Sequence, residues 1–355
     1  MRSGRVHSDS SHVQAPTQPM GTTVAGHLLP RWLWGTRQRA TQWPAPMKNA
    51  AYYLWLVADG DRPRVVSTLS RRLLSRHPVT YRQKMMYKLS RDRRPILTTM
   101  ADKVAVRAYV RERAGERWLK QAYAVADRAS EIPWEVLPKE AVFKVNHGSS
   151  GAVIVAQHAD PRTELPDPKS KPGWTRFVVH PDSVTPEQIG ALLDYWLGLR
   201  YGYCETQSPE WAYTGIRPQI LVEELIRGSG PGLPEELWMH CFDGEVAQYL
   251  VVGRSDTFDE VDLHRFMDDE AEQARNACGL DDEVWDAVVE ASRRLSAETD
   301  SLRVDWLLSD RGPLLAELTN YPGAGRLEFN GHAFLSPQQV HEQMTSRWDV
   351  PARYV

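Results

Sequence analysis

The chain has 355 residues, enough for one large domain or two ordinary ones with a sizeable core. A formal net charge of -3 excludes a strongly basic surface, so composition gives no case for nucleic-acid or membrane-surface binding. The three cysteines, Cys204, Cys241 and Cys278, are dispersed with no CxxC pair, which argues against a disulfide framework or a structural zinc and fits a reducing cytoplasm. No apolar run approaches the roughly 20 residues that span a bilayer, so no integral membrane segment is expected.

Residues 1–78 differ from the rest. Ser, His, Gln, Pro and Arg dominate there, and Asp9 is the only acid before Asp59. An acid-poor leader suits a transit peptide, but no clean amphipathic helix is visible, and Pro30 and Arg31 break the one apolar run. A disordered tail, or a start set too early with Met20 and Met47 as alternatives, is the expectation.

From about Thr80 the pattern becomes globular. Tyr81 to Ser90 reads as a short basic helix, and Asp102 to Arg113 as a second, with Lys103 at its start and Gly115 as its C′ residue. Ala141–Asn146 and Ala152–Ala156 read as strands around His147-Gly148-Ser149-Ser150-Gly151. That small-residue loop offers backbone N–H groups and hydroxyls to phosphate oxygens, and Lys144 on the entering strand would neutralise them; the same pattern also fits a flexible Gly-rich hairpin tip. It is not a P-loop, because no GK[ST] follows and a strand leaves it. Residues 160–184 read as a loop, and Thr185 to Tyr201 as an amphipathic helix with Ile189, Leu192, Leu193, Trp196 and Leu197 on one face. Ile220–Ile226 is a strand that contains Glu223 and Glu224. Leu237–Phe242 and Glu245–Val252 form a hairpin around Asp243-Gly244, with Arg254 after it. Residues 255–280 give no clear pattern. Val284, Trp285, Val288, Ala291 and Leu295 mark a long helix, and a last helix covers Ser336 to Ser346.

Between those two helices lie Leu302–Leu308 and Leu314–Leu318, two apolar strands joined by Ser309-Asp310-Arg311-Gly312. Each carries one acid, Asp305 on the first and Glu317 on the second. A carboxylate among buried neighbours is costly unless paired, and two on adjacent strands repel unless a cation lies between them. Oxygen ligands facing one another suit Mg²⁺, which completes its shell with phosphate oxygens and water. Arg303 precedes Asp305 by two and shares its face. A surface hairpin with scattered charges accounts for the same spacing.

These segments, in this order, resemble the TupA-like ATP-grasp family, named for teichuronopeptide biosynthesis. The resemblance is carried by Ala101–Arg107, Phe143–Ser149, Val222–Glu224, Cys241–Gly244, Arg303–Asp305 and Glu317–Gly325, and covers roughly residues 80 to 330. No one of these motifs is decisive, but six in the right order are specific. The resemblance implies an α+β ATP-grasp fold, in which two α+β lobes clamp a nucleotide between antiparallel sheets. It divides the chain into a leader (1–78), a helical N-terminal segment (79–140), a first lobe with the glycine flap (141–226), a second lobe with the metal site (227–335), and a C-terminal helix and tail (336–355).

The resemblance also implies roles. Lys103 and Lys144 would hold the α- and β-phosphates of ATP, under a flap of Gly148, Ser149, Ser150 and Gly151. Glu223 and the backbone of Glu224, Leu225 and Ile226 would meet adenine, and Glu236 the ribose. Asp305 and Glu317 would bind Mg²⁺, with Thr319 or Asn320 completing the shell. Arg303 would stabilise the transferring phosphoryl, with Arg254 as a second candidate. Two positions depart from the wider pattern. Thr319 stands where many ATP-grasp ligases carry Asn, and Trp238 where a basic residue is usual, which would weaken nucleotide binding unless Arg254 substitutes.

The implied activity is a carboxylate–amine ligase that releases ADP and phosphate, joining a small-molecule or glycan carboxylate to an amine in cell-envelope polysaccharide or peptide natural-product biosynthesis. The alternatives are a nucleotide-binding scaffold that has lost catalysis, and a kinase on the same fold.

Overall fold

The computed structural model describes residues 47, 77–199, 201, 210–228, 233–255, 260–325, 332, 334–352 and 354. The expected leader lies almost wholly outside the described residues, as do Cys204 and the glycine-rich break at 229–232.

In chain order, α1 (Tyr81–Arg91), α2 (Pro95–Ala101) and α3 (Val106–Arg113) precede β1 (Ala122–Ala126), β2 (Ala141–Val145), β3 (Ala152–Val155), β4 (Arg176–Val179), α4 (Pro186–Leu197) and β5 (Ile220–Glu223). There follow β6 (Glu236–Phe242), β7 (Glu245–Arg254), β8 (Glu260–Met267), α5 (Ala271–Cys278), α6 (Asp282–Ser296), β9 (Leu302–Ser309), β10 (Gly312–Thr319) and α7 (Pro337–Ser346). The strands form two five-stranded sheets, ordered β1-β5-β2-β3-β4 and β10-β9-β6-β7-β8. Every pairing is antiparallel except β3 with β4.

Each sheet buries one face under a helix. Ile189, Leu192, Leu193 and Trp196 of α4 pack on Phe143, Val153 and Val222 of the first sheet. Trp285, Val288 and Leu295 of α6, with Val106 and Val110 of α3, pack on Leu237, Met239, Val304 and Trp306 of the second. A third cluster joins α1, α2 and α7 through Tyr81, Met85, Leu97, Val340, Met344 and Trp348. Local signals start the helices where they begin. Thr80, Thr185 and Ser336 each close a capping box with a Gln three residues on, which satisfies otherwise orphaned N–H groups. The β6–β7 turn has positive φ at both Asp243 (50°) and Gly244 (84°), the twist a two-residue hairpin turn requires.

Several elements differ from the sequence reading. The helix expected over Asp102–Arg113 begins at Val106, because Asp102 Oδ1 accepts the N–H groups of Val104 (2.9 Å) and Ala105 (3.2 Å) and holds the chain in a turn. Lys103 therefore sits in that turn. The segment 79–140 is not only helical: it supplies β1 to the first sheet. The expected loop at 160–184 contains β4, and the unassigned 255–280 contains β8 and α5. The strand expected to reach Ile226 ends at Glu223.

Candidate active site

Between the lobes lies a cavity lined by Lys103, Arg107, Lys120, Lys144, Glu223 and Glu317, with Met100, Val106, Leu119, Leu315 and Leu318 as its apolar walls. Lys103 and Lys144, 41 positions apart in the chain, thus converge with the acid of β10.

The first sheet presents Glu223, Lys144 and Lys120 through strand order. Central β5 ends at Glu223, which pairs with Ala122 of β1 on one side and Val142 of β2 on the other. Lys144 lies two residues beyond Val142 and Lys120 two before Ala122, so both ammonium groups reach Glu223 Oε1, Lys120 at 2.8 Å. Arg107 Nη1 lies 3.9 Å from Oε2, and its Nη2 donates to Lys120 O. Burial raises the Glu223 carboxyl, but Lys120 and Lys144 outweigh it and bring it down to about 2. Burial lowers the Lys144 ammonium to about 8; Glu223 opposes that, while Lys120 and Lys103 add to it. The Glu223 side chain, expected at adenine, is in this structure the counter-ion of two lysines. Glu224 accepts from Gln121 N (2.7 Å) and Arg311 Nη2 (2.7 Å), and its own N–H donates to Gln121 O, which couples the end of β5 to the β9–β10 turn. Leu225 and Ile226 follow, outside the strand, with Ile226 buried.

Lys103 bridges the lobes. Its Nζ donates to Gly148 O at 2.5 Å and lies 3.6 Å from Glu317 Oε1. The turn that carries it is pinned by buried Asn146, whose amide nitrogen donates to Asp102 Oδ1 (2.8 Å) and Arg217 O (3.0 Å) while its Oδ1 accepts from Gln219 N (2.7 Å). The flap lies under Trp174. A Cβ at Gly148 would run into that ring, and one at Gly151 would come within 2.8 Å of it, so glycine is required by close approach. Between them, Ser149 is half-buried and Ser150 exposed, with φ at 66°.

On the second sheet Glu317 pairs directly with Asp305 and Thr319 with Arg303. Arg303 forks onto Asp305 with Nε–Oδ1 at 2.6 Å and Nη2–Oδ2 at 2.7 Å, and the Thr319 hydroxyl donates to Asp305 Oδ2 at 3.1 Å. Burial pushes Asp305 up to about 6; Arg303 opposes this, and Glu317 and Glu236 reinforce it. Burial also raises Glu317, but Lys103, Arg303 and Lys144 together hold it below the usual carboxylate value. Asn320 stands beyond the end of β10, and its amide nitrogen donates to Leu97 O at 2.8 Å. Trp238, directly opposite Asp305 on β6, lies between two guanidinium groups, 4.0 Å from Arg303 and 5.3 Å from Arg254 to the ring centroid. Its indole N–H donates to Glu236 Oε2 at 2.6 Å, and Glu236 also takes Arg254 Nε at 3.1 Å. Trp238 therefore packs against two arginines.

Three positions were invisible to spacing: Lys120 acquires its place from strand order, and Arg107 and Asn146 acquire theirs from tertiary contacts. Glu210 is another such residue. It is buried just before a short 3-10 turn (Trp211–Gly215), and burial pushes it up to about 8, with Glu317 adding and Lys103 opposing. Among the described residues no group of three His, Cys, Asp or Glu is arranged to hold a metal, and no helix is long and apolar enough to cross a membrane.

The model of the family described as TupA-like ATPgrasp matches residues 83–334. The chain belongs to the TupA-like ATP-grasp family. No curated protein shows a significant match. Solved structures similar to this chain include the D-alanine–D-alanine ligase from Bacillus anthracis complexed with ATP (14% identity, 63% of this chain and 57% of that one, TM-score 0.36). The VanG D-Ala:D-Ser ligase from Enterococcus faecalis is another (14%, 71% and 62%, 0.41), as is the ATP-grasp ligase PsnB with a minimal precursor (12%, 71% and 62%, 0.36). In each of these three the match spans less than two thirds of the solved chain. Of the motif residues, Lys103, Lys144 and Glu317 line the cavity, and Asp305 stands beside Glu317 on the paired strand with Arg303 bound to it.

Proposed function

We propose that this protein is an ATP-dependent carboxylate–amine ligase that works through an acyl phosphate, with the nucleotide held in the interlobe cavity. One observation carries the reading. Four cationic side chains line the cavity (Lys103, Arg107, Lys120, Lys144) against two carboxylates (Glu223, Glu317), an excess of two positive charges with Lys120 and Glu223 buried. Like charges brought together in a low-dielectric site are costly unless a polyanion belongs between them. A nucleotide polyphosphate has that charge and that extended shape.

The donor set beside the cavity fits Mg²⁺. Asp305 and Glu317 on paired strands, with the Thr319 hydroxyl, provide the few hard oxygen ligands that Mg²⁺ takes when phosphates and water supply the rest. When bound there, the ion would neutralise charge on the phosphate oxygens. The chain's own groups do the remainder. Lys103 and Lys144 position the phosphates, and Lys103 holds the flap through Gly148 O. Arg303, fixed in the plane of Asp305 and stacked on Trp238, is aimed to stabilise charge that develops on the transferring phosphoryl. Arg254 and Glu236 lie next along the same sheet face, where a ribose or a substrate would be met. A substrate carboxylate oxygen attacks the γ-phosphorus and ADP leaves; an amine nitrogen then attacks the acyl carbon, the C–O bond to phosphate breaks, and the amine proton passes to water. Family membership favours a glycan or peptide carboxylate as acceptor, and an ATP-using step of this kind suits the cytoplasm.

The test measures ADP and phosphate release with Mg²⁺ over a panel of acids and amines. A ligase releases phosphate stoichiometrically with ADP, and only when a carboxylate is present. ADP without phosphate identifies a kinase. Nucleotide binding with no ADP from any combination identifies a scaffold. Failure to bind nucleotide overturns the reading.

A further inference from the structure

Lys120 enters the reading above only as one of the four cavity cations, with no contact to the nucleotide assigned to it. It is buried, its ammonium lies 2.8 Å from Glu223 Oε1, and its carbonyl accepts from Arg107 Nη2. Lys144 meets the same carboxylate oxygen from the opposite neighbour strand. One oxygen shared by two ammonium groups holds each less firmly than it would hold one. Arg107 fixes the Lys120 backbone, so of the two lysines Lys120 is the one tied at both ends.

We propose that Lys120 is a positioning residue for the nucleotide site: it retains Glu223 while Lys144 exchanges that carboxylate for a phosphate of the incoming nucleotide. Glu223 is then an internal stand-in for the phosphate, keeping Lys144 aimed into the empty cavity. Lys120 prevents that stand-in from becoming a trap. The argument rests on the nucleotide reading of the cavity, and its geometry comes from the β1–β5–β2 order, which places a lysine on each side of one central glutamate.

The consequences are non-additive. In Lys120→Met, Glu223 has only Lys144 and Arg107 left, so Lys144 is held back and ADP or a non-hydrolysable ATP analogue binds about tenfold more weakly. In a Glu223→Gln background the competitor is gone, and adding Lys120→Met changes affinity less than about twofold. The experiment is a double-mutant cycle, by calorimetry of ADP and Mg²⁺ binding to wild type, both single variants and the double variant, with thermal unfolding of each to show that it is folded. A merely structural Lys120 lowers the unfolding temperature without this coupling. Equal losses from Lys120→Met in both backgrounds mean that Lys120 meets phosphate directly, and overturn the proposal while leaving the nucleotide reading intact. Wild type that binds no nucleotide removes that reading instead. A readout free of nucleotide completes the test: with reductively ¹³C-methylated lysines, the Lys144 signal titrates at higher pH in Lys120→Met, which loses a like charge, and at lower pH in Glu223→Gln, which loses the opposite one. An unmoved Lys144 signal in both variants also overturns the proposal.

Discussion

Two buried charge clusters in this molecule use the same side chains to opposite ends. Near the C-terminal tail, Asp300 accepts from Lys88 Nζ (2.5 Å), Arg94 Nη2 (3.0 Å), Trp348 Nε1 (2.9 Å) and the Tyr354 hydroxyl (2.8 Å). Asp92 takes the rest of Arg94 at 2.6 Å and shares Lys88 at 3.4 Å. Two cations meet two anions, and both Asp300 oxygens are fully engaged. In the interlobe cavity four cations meet two anions, Lys144 is brought down to about 8, and Asp305 beside the cavity is pushed up to about 6. The first cluster is closed and pins the residues just before β9 to α1 and to the tail. The second is unbalanced, with more cations than anions along its wall. Burial of charge alone therefore does not separate the two clusters; the balance of charge does, and it is the unmatched one that the proposed function uses.

The largest effect should come from breaking the closed cluster. Asp300→Ala leaves Lys88, fully buried, facing only Asp92, and should cost about 3–5 kcal/mol of stability by urea unfolding. Burial raises the Asp300 carboxyl, but Lys88 and the hydrogen bonds outweigh it, so its folded value is depressed. The stability it contributes is present above the unfolded value of about 3.9 and is lost as pH falls through the lower folded value. Wild type and Asp300→Ala should accordingly converge in stability toward strongly acid pH. Parallel curves down to pH 2 would show that Asp300 is not the anchor.

The next effect belongs to the unbalanced cluster. Glu317→Gln keeps the side-chain shape and removes one charge beside Lys103 and Asp305. Turnover measured as ADP release should fall on the order of 10²–10³-fold, roughly 3–4 kcal/mol in the barrier, and Asp305→Asn should behave similarly. Glu317→Gln should unfold within about 1 kcal/mol of wild type, since Lys103 keeps its bond to Gly148 O, whereas Asp305→Asn takes the charge partner from buried Arg303 and should lose more stability. Undiminished turnover in both variants would remove the acidic pair from the chemistry.

What the sequence revealed follows from how local each feature is. The flap with Lys144, and Arg303-x-Asp305 followed by Glu317, are legible because their parts are neighbours in one hairpin, and the capped helices because their signals lie within one turn. The three strands that went unread, β1, β4 and β8, are all sheet edges, where one-sided burial leaves weak alternation. With β1 unread, Lys120 had no address, since its partner lies on the neighbouring strand β5, about a hundred residues later. Asn146 stood inside a motif, but its hold on the Lys103 turn is a tertiary contact. The Asp300 hub is equally non-local, and Trp348 and Tyr354 lie beyond the stretch that carries the family match.

The smallest effect is the most diagnostic, because its sign is opposite in the two clusters. Lys144→Met removes one of the excess cations and leaves Glu223 paired with Lys120 and Arg107. Filling a buried charged position with an apolar side chain of similar length should stabilise the empty protein by roughly 1–2 kcal/mol at pH 7, while nucleotide binding is lost. The pH dependence follows from the same residue. Burial depresses Lys144 to about 8, below an unfolded value of about 10.4, so the stability its neutral form allows is present above the unfolded value and is lost as pH falls through about 8. The advantage of Lys144→Met should therefore be full near pH 7, shrink through pH 8 to 9, and vanish by roughly pH 10. Chemical unfolding at those values decides it. A loss of stability at pH 7, as the matched cluster would show for Lys88→Met, would mean that Glu223 and Lys144 form a structural pair and that the cavity's charge is not held in readiness for a ligand.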